Sequence, residues 1–114
     1  MRALKIRRLI RDNFISAFDK VDYIFAPTSP STAFNIGEKT SNALEMYLSD
    51  IYTTPVNLAG LPAASIPVGF NDSLPVGMQI IGNYFSEEKI LQIPNIFPKE
   101  TDWHLKIPKE FDNE

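Results

Sequence analysis

Few side chains in this sequence could do chemistry, and their spacing decides what each could do. There is one histidine, His104, and no cysteine, which excludes a thiolate nucleophile, a disulfide and a paired-histidine metal site within one chain. A serine nucleophile needs an exposing turn and a base within hydrogen-bond reach. No Gly-x-Ser-x-Gly elbow occurs, and no glycine-rich phosphate loop. Ser65, within Ala63-Ala64-Ser65-Ile66-Pro67, has no base spaced to reach it and reads as a small packed residue with a satisfied hydroxyl. Asp102 and His104 flank Trp103 as an orienter and its base would, but after a broken helix and near the end of the sequence a surface role suits His104 better. Asn71-Asp72-Ser73 matches a glycosylation sequon; with no signal-peptide core in the sequence it reads as a turn.

Asp50 has the most unusual neighbourhood of the carboxylates. It opens Asp50-Ile51-Tyr52-Thr53-Thr54-Pro55-Val56-Asn57, the start of a nearly uncharged stretch that runs to Gly82. Beside apolar, proline-bounded chain the lower local dielectric would strengthen its attraction for a cation. It could equally cap the turn beginning at Ile51, and spacing alone favours the cap. Arg2, Lys5, Arg7, Arg8 and Arg11 crowd the first eleven positions, as in a presequence or a strip that touches RNA phosphates. Asp12, Asp19 and Asp22 follow, and presequences are poor in acids. A solvated helix face, with Arg8 and Asp12 paired at i, i+4, is the plainer reading.

The elements that must carry these residues follow from periodicity. Ile6, Leu9, Ile10, Phe14, Ala17 and Phe18 recur at helical spacing over Ala3 to Lys20, with the arginines opposite. Val21 to Ala26 reads as a strand ended by Pro27. Ser41 or Asn42 could cap a second helix, with Leu44, Tyr47, Leu48 and Ile51 on one face and Pro55 limiting its far end. Pro62 to Phe70 and Pro75 to Gly82, around Ala64 to Pro67 and Val76 to Ile81, read as antiparallel strands joined by a turn at Asn71 to Leu74. Ser86 caps a last helix with Glu87 and Glu88 in its first turn and Ile90, Leu91 and Ile93 facing the core. Pro94 and Pro98 predict that it stops or kinks near Ile93. Lys106 to Glu114 reads as a mobile polar tail, leaving residues 1–105 as one structured unit.

At 114 residues, 44% hydrophobic and net charge −3, the chain is long enough for one core, and its charge argues for no particular partner. No apolar run approaches a membrane span, so a soluble, cytoplasmic protein is expected, with an organelle as the other option. Between the breakers of residues 50–82 the apolar runs are too dense for surface loop. They describe buried backbone of a larger α/β protein.

The same stretch, from Asp50-Ile51-Tyr52-Thr53-Thr54-Pro55-Val56-Asn57 through Leu58-Ala59-Gly60-Leu61-Pro62 to Pro75-Val76-Gly77-Met78-Gln79-Ile80-Ile81-Gly82, resembles the C-terminal region of the amidase signature family. The resemblance runs from Ala3 to about His104 and is strongest to the A subunits of tRNA-dependent glutamine amidotransferases. It implies an α/β fold, a fragment of a mixed sheet flanked by helices. Members hydrolyse amides with a serine, a second serine on a cis peptide and a lysine; nothing here matches the region holding them, so no catalytic residue carries over. One substrate position does: an aspartate at the Asp50 position recognises the ammonium group of glutamine. The resemblance further implies a B subunit that uses ATP and magnesium and binds tRNA, a small C subunit, and no cofactor in this chain. A split gene, a truncated copy or an internal start would each fit such a fragment. The alternatives are a piece of another amide hydrolase, or a non-catalytic module that docks on a partner. Either way the chain alone is expected to expose an apolar face.

Overall fold

The computed structural model describes residues 2–38, 43–97, 100–108 and 111. Helix α1 (Arg2–Phe18) leads into strand β1 (Tyr23–Pro27), and two short helices follow, α2 (Ala43–Leu48) and α3 (Thr54–Ala59). Strands β2 (Ala63–Asn71) and β3 (Leu74–Gly82), helix α4 (Glu87–Ile96) and a 3-10 turn at Trp103–Leu105 complete the described elements. The sheet order is β1-β3-β2, antiparallel throughout.

The hairpin is the best-defined part. Asn71 pairs with Leu74, and Asp72 and Ser73 between them take φ of 48° and 66°, the two-residue loop whose twist matches the flanking strands. Both strands run close to their expected extents, because their prolines sit where they do little harm. Pro67 borders a bulge at Val68 on an edge strand, and Pro75 lies beyond the reach of β1, which ends opposite Met78.

Directly paired residues share a face. Ile24, Ile81 and Ala63 stand on one side with Ala26, Gln79 and Ser65; Tyr23, Phe25, Ile80, Ala64, Met78 and Ile66 stand on the other. On the first face Val56, Ala59, Leu61 and Ile81 form a cluster joined by Phe14 and Phe18 of α1. On the second, Ile66, Ile80 and Ile90 cluster with Ile93 and Phe97 of α4.

Several expectations need correction. Pro55 does not end a helix; it begins α3 at a first-turn position, where its missing N–H and fixed φ fit a helix start. Gly60 then closes α3 in the left-handed conformation (φ 72°). Of the two outcomes expected near Ile93, a stop does not occur: helix α4 runs through Pro94 to Ile96, and Phe97 N–H returns to Ile93 O. Packing of Ile93 and Phe97 against the Ile80 cluster holds the turn that a proline would otherwise weaken. Leu91, set off from the Ile90–Ile93 face, is exposed rather than in the core. Ser86 occupies the cap position, but its hydroxyl donates to Asn83 O instead of accepting from the helix. The proposed caps Ser41 and Asn42, together with Pro98 and part of the tail, lie outside the described residues.

The arginine face of α1 is less uniform than its periodicity implies. Arg8 pairs with Asp12 at 3.7 Å as expected, but Arg7 Nε donates to Leu58 O of α3 at 2.7 Å. The outer end of the apolar stripe is bare: Leu4, Ile6 and Leu9 are 58–70% exposed. The chain exposes 8991 Å², against roughly 6,300 Å² for a compact monomer of its mass. That excess is larger than one side of an ordinary protein–protein interface.

Candidate functional site

The segment that carries Asp50 is a tight connection between α2 and α3, and its geometry is set by backbone bonds. Thr53 N–H and Thr54 N–H both donate to Asp50 O, at 3.2 and 2.9 Å, with Thr53 Oγ1 at 3.4 Å. The turn is therefore closed by the carbonyl of Asp50. Its carboxylate is exposed and, among the described residues, makes no hydrogen bond or ion pair. The capping reading assigned that carboxylate to the turn; the backbone does the work instead.

Beside this turn lies an open cavity of about 300 Å³ lined by Thr28, Thr53, Val56, Asn57, Leu61, Ala63, Ala64, Ser65 and Gln79. Its floor is the first face of the sheet. Thr28, one residue past β1, reaches Ser65 of β2, their hydroxyls 2.6 Å apart. Between them β3 has Gly77, where a Cβ would come within 3.0 Å of both hydroxyl oxygens. The glycine permits the pair. Gln79 is 4% exposed, and its Nε2 donates to Tyr52 O at 3.0 Å. On the helix side Asn57 Nδ2 donates to Thr53 O at 3.1 Å. The lining offers hydroxyls and amides but no charge, chemistry that can orient an uncharged polar group and cannot supply a nucleophile with a base.

Ser65 thus has a satisfied hydroxyl, as expected, but it is exposed rather than packed. His104 lies in the exposed 3-10 turn, away from any base–orienter arrangement. Asp102 spends its carboxylate on Lys106 Nζ at 2.8 Å, and that ammonium holds the Asp102 carboxyl below its ordinary range. Trp103 packs on Phe97 with ring centroids 6.0 Å apart. Arg11 shares Asp12 with Arg8, at 3.2 Å. Among the described residues no three carboxylate or imidazole side chains gather as metal ligands, and no helix is long and apolar enough to cross a membrane. Sequence reasoning missed Thr28 and Gln79. Thr28 is brought to Ser65 by strand order alone, whereas the one polar residue inside Val76-Gly77-Met78-Gln79-Ile80-Ile81 was a visible signal.

The profile of the Amidase family matches residues 1–91, and the chain belongs to that family. It is 60% identical over 112 residues to the A subunit of glutamyl-tRNA(Gln) amidotransferase from Thioalkalivibrio sulfidiphilus, covering 98% of this chain and 23% of that protein. It is 54% identical over 108 residues to the same subunit of Marinomonas sp., covering 95% of this chain and 22% of that protein. The crystal structure of the Thermotoga maritima A subunit superposes with a TM-score of 0.82 at 47% identity, over 88% of this chain and 22% of that one. A bacterial aryl acylamidase shares the fold at a TM-score of 0.74 and 24% identity, over 90% of this chain and 23% of that one. The chain therefore spans under a quarter of the length of the relatives it matches.

Proposed function

We propose that this chain is the C-terminal, glutamine-recognising part of a glutamyl-tRNA(Gln) amidotransferase A subunit. It works with the remaining portion of an amidase domain, which brings the serine–serine–lysine set. Together they hydrolyse glutamine and release ammonia for conversion of Glu-tRNA(Gln) to Gln-tRNA(Gln). Residues 1–105 belong to the amidase domain and residues 106–114 to its polar tail. The B subunit, using ATP and magnesium and holding the tRNA, and the small C subunit complete the assembly, in the cytoplasm or an organelle. High identity to A subunits, against low identity to the aryl acylamidase, favours this reading over another amide hydrolase.

The observation that carries the proposal is the uncommitted carboxylate of Asp50 in its Asp-Ile-Tyr-Thr-Thr-Pro-Val-Asn setting, beside a cavity lined by uncharged polar groups. A carboxylate held on a rigid turn and not spent on its own protein is suited to an ammonium group. The excess exposed surface, with Leu4, Ile6 and Leu9 bare on α1, supports the need for the rest of the domain. In the assembled enzyme, Asp50→Asn is expected to raise KM for glutamine roughly ten- to a hundred-fold, the cost of one charge-assisted hydrogen bond. Ammonia release measured against glutamine concentration checks it. An unchanged KM returns Asp50 to a purely structural role.

A further inference from the structure

Among the described residues the buried polar side chain is Gln79. It stands midway along the central strand, paired with Ala26 on one side and Ser65 on the other, with Ile81 next to it on the same face. A primary amide placed there needs a compensating partner, because a buried amide left unpaired is costly. Its partner lies outside the sheet. Gln79 Nε2 reaches across 27 positions of sequence to Tyr52 O, two residues beyond Asp50. The bonds from Thr53 and Thr54 to Asp50 O fix the shape of the turn and join it to the start of α3, which Val56 and Ala59 seat against Ile81, but they do not reach the sheet themselves. Ile51 and Tyr52 are 47% and 41% exposed, so their side chains do not bury the turn either. Among the described residues no other hydrogen bond joins residues 50–53 to the sheet.

We propose that Gln79 is a positioning residue for substrate recognition. By holding the Tyr52 carbonyl it fixes where the turn that carries Asp50 sits relative to the sheet. It thereby sets the preference for an amide that also carries an ammonium group. The inference rests on the reading of Asp50 above, and adds to it the element that makes a turn on the surface rigid enough to select. Charge-assisted hydrogen bonds lose strength steeply with angle and distance. A turn free to move relative to the sheet would keep its charge and lose its aim.

The test uses the assembled amidotransferase containing this chain, with two substrates: glutamine, and glutaramate, which is glutamine without its amino group. Gln79→Met keeps the length of the side chain and removes the donor. It should raise KM for glutamine about tenfold, the measure of one hydrogen bond, leave kcat for glutamine close to wild type, and change little with glutaramate. Added to Asp50→Asn it should cause no further rise, because both act on one contact. Hydrogen exchange at the Thr53 and Thr54 amides should quicken. Where Gln79→Met does not assemble, Gln79→Leu, likewise apolar and without a donor, serves the same comparison. Unchanged exchange at Thr53 and Thr54 would overturn the fastening. A silent Gln79→Met beside an effective Asp50→Asn would overturn the role of Gln79 while leaving Asp50 in place. Equal losses with both substrates would reduce Gln79 to a general structural residue. A silent Asp50→Asn would remove the reading of Asp50 and the proposal with it.

Discussion

The two faces of the three-stranded sheet are built from alternate residues of the same strands, yet they do different work. The α4 face is apolar along its middle: Ile80 is fully buried, and Ile66 and Ile90 are nearly so. The α1–α3 face is apolar only at one end, where Ile81 meets Val56, Ala59 and Leu61. Two residues along β3 it turns polar, with Gln79, then Gly77 beneath the Thr28–Ser65 hydroxyl pair. One face is held by burial alone. The other gives up part of its burial to make a cavity and a hydrogen-bonded anchor for the turn that carries Asp50. Apolar packing and the polar cavity are thus separated by the two-residue period of a strand.

That contrast can be broken from either side. The largest effect is expected at Ile80→Ala, which leaves a void where no side chain is free to collapse; the loss should be about 2–5 kcal/mol, read as a lower urea midpoint. A loss below about 1 kcal/mol would mean that the α4 face is not the main stabilising core. On the other face, Gly77→Ala brings a methyl within 3.0 Å of Ser65 Oγ and Thr28 Oγ1. The two hydroxyls must separate, costing about 1 kcal/mol, the worth of one neutral hydrogen bond. Thr28→Ala made first, which removes both the hydroxyl and its bulk, should remove most of that penalty, which a double-mutant cycle on the urea midpoint reads directly. The smallest effect lies outside both faces. Because Lys106 holds the Asp102 carboxyl below its ordinary range, the pair's contribution is full above the usual carboxylate pKa. It fades as pH falls through the lowered value. A carboxyl titration followed by NMR should show that lowered midpoint, and Lys106→Met should return it upward.

Much of this arrangement was legible beforehand. The hairpin could be read from Asn71-Asp72-Ser73-Leu74 between two apolar runs, and the observed turn lies there. Arg8 and Asp12 pair as their spacing implies. The family was legible in the motif opening at Asp50, and the profile match and high identity bear it out. The prolines were harder. A proline at a helix start and one in a helix interior look alike in sequence, and only neighbouring contacts tell them apart. Pro55 opens α3 because Val56 and Ala59 bury against Ile81, and Pro94 stays within α4 because Ile93 and Phe97 are packed.

By itself, then, the sequence determined the local units: the helical stripe of α1, the hairpin and its turn, and the carboxylate at the head of its motif. Those are set by side-chain periodicity, turn chemistry and residue type, which act over a few positions. Tertiary structure decided what crosses long stretches of chain. It set Thr28 against Ser65 and placed Gln79 under Tyr52. Each of these depends on strand order and on which face a residue lands. Neither is encoded in local spacing, because both are fixed only when the sheet pairs and the helices choose a side.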